Sequence, residues 1–139
     1  MSFSQSDLFW GMSTNFVTAT TDMAVSITCK KGDKLFDIGD TADRFYILLK
    51  GSVTMKRGDG ELHTAKKAGE IFGWSSLIKR PEYAASATCD IVTALLNIES
   101  KPFLELLDKS PQDKATLFER LAKMLGNQLL DVYTSGKGI

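Results

Sequence analysis

Between Val25 and Ile98 the chain is cut into short pieces by glycine, at Gly32, Gly39, Gly51, Gly58, Gly60, Gly69 and Gly73. The pieces are brief and apolar: Ser26–Cys29, Lys34–Ile38, Phe45–Leu49, Val53–Lys56, Glu61–Thr64, Ala84–Thr88 and Val92–Ile98. Gly-Asp recurs at 32–33, 39–40 and 58–59, a pair suited to tight turns. Arg57-Gly-Asp-Gly60 carries the signal of a hairpin between two strands. Many short strands at regular spacing predict a mostly β fold, a barrel or jelly roll with antiparallel strands.

Helical patterns flank this stretch. Ser6 to Ala24 reads as helical, with Ser13 as an N-cap and Phe16, Ala19, Thr20 and Met23 at helical spacing. Its threonines make it a weak helix that needs packing to persist. After the strands, Ser100 is placed to cap a helix with Pro102 in its first turn and Phe103, Leu106 and Leu107 on one face. Ser110-Pro111-Gln112-Asp113 repeats the start signal, with a cap, a proline and an acid in the first turn. The second helix then runs through Leu117, Phe118, Leu121, Met124, Leu125, Leu129 and Val132. One domain over 1–139 is expected, divided into a helical part at 6–24, a β-roll at 25–98 and helices at 100–133; 139 residues are enough to build a core.

Seventeen basic and seventeen acidic side chains balance. That balance argues against nucleic-acid or anionic-membrane partners, which call for a basic excess. No apolar run approaches the ~20 residues of a membrane span, and the N-terminus lacks a signal core. A cytoplasmic location is the expectation. Cys29 and Cys89 form no metal-binding pattern and read as reduced core residues, with a disulfide or redox pair as the alternative. The single histidine, His63, lies in a polar segment and reads as a solvated side chain. With one histidine, neither a multi-histidine metal site nor a Ser/His/Asp arrangement can be assembled, and Gly-rich phosphate motifs are absent. The chain is expected not to be an enzyme and to need no cofactor.

The remaining chemistry sits in Gly69-Glu-Ile-Phe-Gly-Trp-Ser-Ser-Leu77 and the loop through Ala87. Strand residues run into Gly73, and Ser75 and Ser76 open a short helical turn. Unpaired N–H groups at such an opening can receive an anion.

The segment Lys31–Gly51, with Gly32, Gly39, Phe45, Tyr46, Ile47 and Gly51, resembles the cyclic-nucleotide-binding domain family, the sensor module of Crp/Fnr regulators and of nucleotide-gated kinases and channels. Gly69, Phe72 and Gly73 match its phosphate cassette, and the likeness covers about residues 6–133. It implies a β-roll of the double-stranded β-helix kind, a cyclic nucleotide or other small anion as ligand, and ligand contacts from Gly73, Trp74, Ser75, Ser76, Tyr83, Ala84 and Ala85. It also implies a homodimer through the last helix, where Phe118, Leu121, Leu125, Gln128 and Val132 follow a three–four spacing. No DNA-reading domain follows that helix in this sequence.

Two expected grips are missing. An acid should follow Gly73 and take the ribose; Trp74 stands there. An arginine should open the strand after the cassette and pair with the phosphate; Tyr83 or, without a loop insertion, Ala84 stands there. A phenol cannot replace the guanidinium fork. Lys79 and Arg80 are the nearest cations, either gripping an anion or merely solvated. Trp74 and Tyr83 either line an apolar pocket or fill it. The function expected is a regulatory sensor with a departed phosphate cassette; the alternative is a degenerate module acting through protein contacts.

Overall fold

A computed structural model describes residues 9–135, with side chains described through residue 127. Helix α1 (Thr14–Met23) precedes strands β1 (Val25–Cys29), β2 (Lys34–Phe36), β3 (Arg44–Lys50), β4 (Val53–Arg57), β5 (Gly60–Ala65), β6 (Ile71–Phe72), β7 (Ser86–Cys89) and β8 (Thr93–Glu99). Helices α2 (Ser100–Asp108) and α3 (Pro111–Ser135) follow. The strands form two four-stranded sheets, ordered β1-β8-β3-β6 and β2-β7-β4-β5. Every pairing between these strands is antiparallel. This is the expected antiparallel β-roll with flanking helices. The hairpin at Arg57–Gly60 closes as its sequence predicts, with Arg57 opposite Gly60.

β3 explains the division of the interior. Its side chains alternate, as a strand's must, yet Phe45, Tyr46, Ile47 and Leu48 are all buried. Phe45 and Ile47 face a cluster with Phe16, Phe103, Leu107, Leu117 and Leu121, contributed by the three helices. Tyr46 and Leu48 face a second cluster inside the roll, with Phe36, Val53, Phe72, Tyr83 and Leu95. Phe45 meets Phe103 edge-on, with ring centroids 4.9 Å apart and planes at 67°.

Several element boundaries differ from those expected. α1 begins at Thr14 rather than near Ser6, because the Ser13 hydroxyl accepts from the Phe16 N–H and ends the helix there; Ser6–Leu8 lie outside the described residues. β2 stops at Phe36, short of Ile38. Ala84 and Ala85 bend ahead of β7 rather than joining it. The preceding segment pairs instead with the β2–β3 loop: Gly39 N–H donates to the Tyr83 carbonyl, and Tyr83 N–H to the Asp40 carbonyl.

Ser100 does not cap α2. Glu99 occupies the cap, and Ser100 is a buried first-turn residue whose hydroxyl bonds to that of Ser76. Ser110 plays its expected part at α3, where its carbonyl accepts from Lys114 N–H and its hydroxyl donates to Asp113. Of the three–four stripe on α3, Leu121 is buried and Phe118 packs against the helix-side cluster, while Leu125 is exposed. The stripe is therefore not one free face: its first half is used within the chain. Gln128 and Val132 lie beyond the described side chains.

Candidate functional site

β6 carries Ile71 and Phe72 into Gly73, which turns with φ +68°. A Cβ at Gly73 would lie 3.0 Å from the Phe36 ring and 3.1 Å from the Tyr46 ring. The backbone can pass this close to the aromatic interior only as glycine. Trp74 follows, and then a single 3-10 turn, Ser75–Ile78. Leu77 anchors that turn in the helix-side cluster. Lys79 closes it in the left-handed conformation, φ 61°.

A cavity of about 200 Å³ opens beside this segment. Gly73, Trp74 and Ser75 from the cassette and Tyr83, Ala84 and Ala85 from the segment ahead of β7 line it together. Phe36, Met55, Ile71 and Phe72, with Leu62 and His63 on β5, complete the lining. The structure thus brings together six of the seven site residues expected from sequence. Ser76 is not among the lining residues. Its hydroxyl bonds to Ser100 on α2, towards the helices.

Tyr83 sets the character of the cavity. It is buried, and its ring stacks on Phe36 with centroids 3.9 Å apart and planes at 16°. Phe36 continues to Tyr46 at 5.9 Å, and Tyr46 to Phe72 at 5.3 Å, giving a column of four stacked rings. The Tyr83 hydroxyl donates to the Arg44 carbonyl at 2.6 Å. Burial pushes its ionisation well above the ordinary tyrosine range, with the charge of Tyr46 adding to the effect. At neutral pH Tyr83 is an uncharged phenol with its proton already committed.

Cations do not compensate. Neither lysine nor arginine lines the cavity, and Lys79 and Arg80 are exposed on the loop. The helical turn is too short to build a sizeable macrodipole, which needs aligned peptide units over more than one turn.

His63, a lining residue, bonds to the Glu70 carboxylate, which lies outside the lining. Burial raises the Glu70 pKa, but the His63 hydrogen bond and charge, with the N–H groups of Lys67 and Lys66, outweigh it and leave the carboxyl more acidic than usual.

Sequence reasoning misses Phe36, Met55, Leu62, His63, Ile71 and Phe72 as lining residues, and reads His63 as merely solvated. The missing information is strand register. Met55 stands opposite His63 on the β4–β5 hairpin, and both line the cavity with the cassette residues. Alternation within β4, with Val53 and Met55 on one face, was the available signal.

The sequence matches the family model for the cyclic nucleotide-binding domain over residues 26–110. No curated protein sequence matches the chain significantly. Among solved structures, the sensor domain of the transcriptional regulator DNR from Pseudomonas aeruginosa superposes with a TM-score of 0.77 at 22% identity, covering 88% of this chain and 90% of that one. The N-terminal domain of a transcriptional regulator from Streptomyces coelicolor A3(2) gives 0.75 at 21% identity, covering 95% of both chains. The Thermus thermophilus catabolite activator protein gives 0.76 at 26% identity, covering 94% of this chain and 63% of that longer one. No helix among the described residues is long and apolar enough to cross a membrane.

Proposed function

Since this chain belongs to the cyclic nucleotide-binding domain family, we propose that it is a regulatory sensor module whose cavity has lost the phosphate anchor and binds cyclic AMP weakly or not at all. One observation carries this reading. Of the two positions where the family resemblance expects an arginine, Tyr83 is stacked on Phe36 and hydrogen-bonded to a backbone carbonyl, Ala84 carries only a methyl group, and neither lysine nor arginine lines the cavity. Losing a charge-assisted bidentate contact weakens binding by roughly 1.5–3 kcal/mol, or about ten- to a hundredfold. Trp74 also removes the carboxylate expected for the ribose, and its indole can only donate.

The cavity is retained and mostly apolar, which favours a sensor over a module emptied of any ligand role. At about 200 Å³ it falls below the ~300 Å³ at which ordinary small-molecule sites begin. A whole nucleotide is therefore a poor fit without movement of the walls. Calorimetric titration with cyclic AMP, cyclic GMP and cyclic dinucleotides tests the reading. Dissociation constants weaker than micromolar are expected, and submicromolar cyclic AMP binding would sink it.

Pairing of two copies through α3 belongs to the same proposal. Leu125 is exposed one turn beyond buried Leu121, on a helix that continues to Ser135. Light scattering of the wild type beside Leu125→Glu tests it. A monomeric wild type, or a folded variant that stays dimeric, ends it.

A further inference from the structure

Resting on the reading of this cavity as a ligand site, we infer that its ligand is a small, uncharged aromatic compound rather than an anion. Four of the lining side chains, Phe36, Phe72, Trp74 and Tyr83, are aromatic. Rings prefer edge-to-face or offset contact with another ring, beyond the gain from burying area alone. Met55 adds a polarisable thioether, which also favours aromatic neighbours.

Charge selects in the same direction. With His63 neutral, its partner Glu70 leaves a negative charge next to the lining; with His63 protonated, the pair sums to zero. Neither state presents net positive charge to an entering anion. Inside, the Tyr83 proton already serves the Arg44 carbonyl. An anion would thus shed water without gaining a lysine or arginine partner, and a buried charge without a partner is strongly disfavoured. A neutral ring loses little hydration and meets a lining of aromatic and aliphatic side chains. The modest volume limits the ligand to about one or two fused rings.

The test uses three probes of one skeleton: 1-naphthol, naphthalene-1-sulfonate and the saturated 1-decalinol. Each is titrated into the full chain by calorimetry, and the site is located by amide chemical-shift changes. The naphthol is expected to bind at least tenfold tighter than either of the others, with shifts centred on Gly73–Ser75 and Ala84–Ala85. Ala84→Trp, a change at an exposed lining position, is expected to weaken the naphthol at least fivefold. The inference is overturned if the sulfonate or the decalinol binds as tightly as the naphthol. It is equally overturned if no probe binds up to its solubility limit, if the shifts centre elsewhere, or if a folded Ala84→Trp binds normally. Tight cyclic AMP binding would instead overturn the loss of the phosphate anchor. A sulfonate preference with weak cyclic AMP binding removes this inference alone.

Discussion

The hydroxyl of Tyr83 donates to the backbone carbonyl of Arg44 at 2.6 Å, tying the segment ahead of β7 to the start of β3. Tyr83→Phe keeps the stack on Phe36 and leaves that carbonyl without this donor. A loss of about 1 kcal/mol is expected, read as a lower urea midpoint at unchanged m-value. The pH dependence has a definite sign. The native state holds the phenol neutral by burial, so the stability it contributes is complete below the ordinary tyrosine range of ~10 and declines as pH rises beyond it. Tyr83→Phe should lose less stability than the wild type between about pH 10 and 12, above the ordinary tyrosine value.

Asp113 is buried at the start of α3 and gathers three donors: Ser13 N–H at 3.0 Å, Ser13 Oγ and Ser110 Oγ. Burial opposes its charge, but these bonds prevail and keep the carboxyl more acidic than an ordinary aspartate. The stabilisation is therefore complete above the usual aspartate range, ~4, and is lost as pH falls through the depressed native value. Asp113→Ala should cost about 2 kcal/mol at pH 7 and flatten the acid limb of a stability–pH profile. An unchanged acid limb contradicts this.

Gly51 turns the chain between β3 and β4 with φ +122°, and a Cβ there would lie 2.4 Å from Thr93 Oγ1. Strained backbone and overpacking act together in Gly51→Ala. A destabilisation of about 3 kcal/mol is expected, visible as a drop in thermal midpoint. A change within 0.5 kcal/mol, on the order of an ordinary surface substitution, would show that the β3–β4 turn rearranges.

The two cysteines should differ in reactivity. Burial, with the charge of Cys29 adding to it, pushes the Cys89 thiol up to about 11, while Cys29 is only partly buried. The thiolate is the reactive form, and burial leaves little of Cys89 in that form at pH 8. Iodoacetamide at that pH should label Cys29 first and Cys89 only on unfolding, as followed by mass spectrometry. Early labelling of Cys89 would show that β7 opens readily.

Much of the fold is legible in the sequence because turns are written locally. Gly39, Gly51 and Gly69 all take positive φ, as glycines at turn positions do, and Gly58-Asp59 closes its hairpin. Boundaries that depend on distant partners are less legible. Ser100 looks like a cap but spends its hydroxyl on Ser76, which no local pattern announces. The site shows the same division. Gly73, Trp74 and Ser75, and likewise Tyr83 to Ala85, are found as contiguous runs. Phe36, Met55 and Leu62 reach the cavity only through strand register, and His63 gains its role from Glu70 across a turn.

β3 has no face left for water: from Phe45 to Leu48 one row of side chains belongs to the helices and the next to the roll. A single layer of backbone is thus the partition between both interiors. Neither interior can come apart while the other stays intact, since each would have to expose the shared wall. The two clusters form one cooperative unit, and a local loss of packing at the cavity is carried as a change in the free energy of the whole molecule.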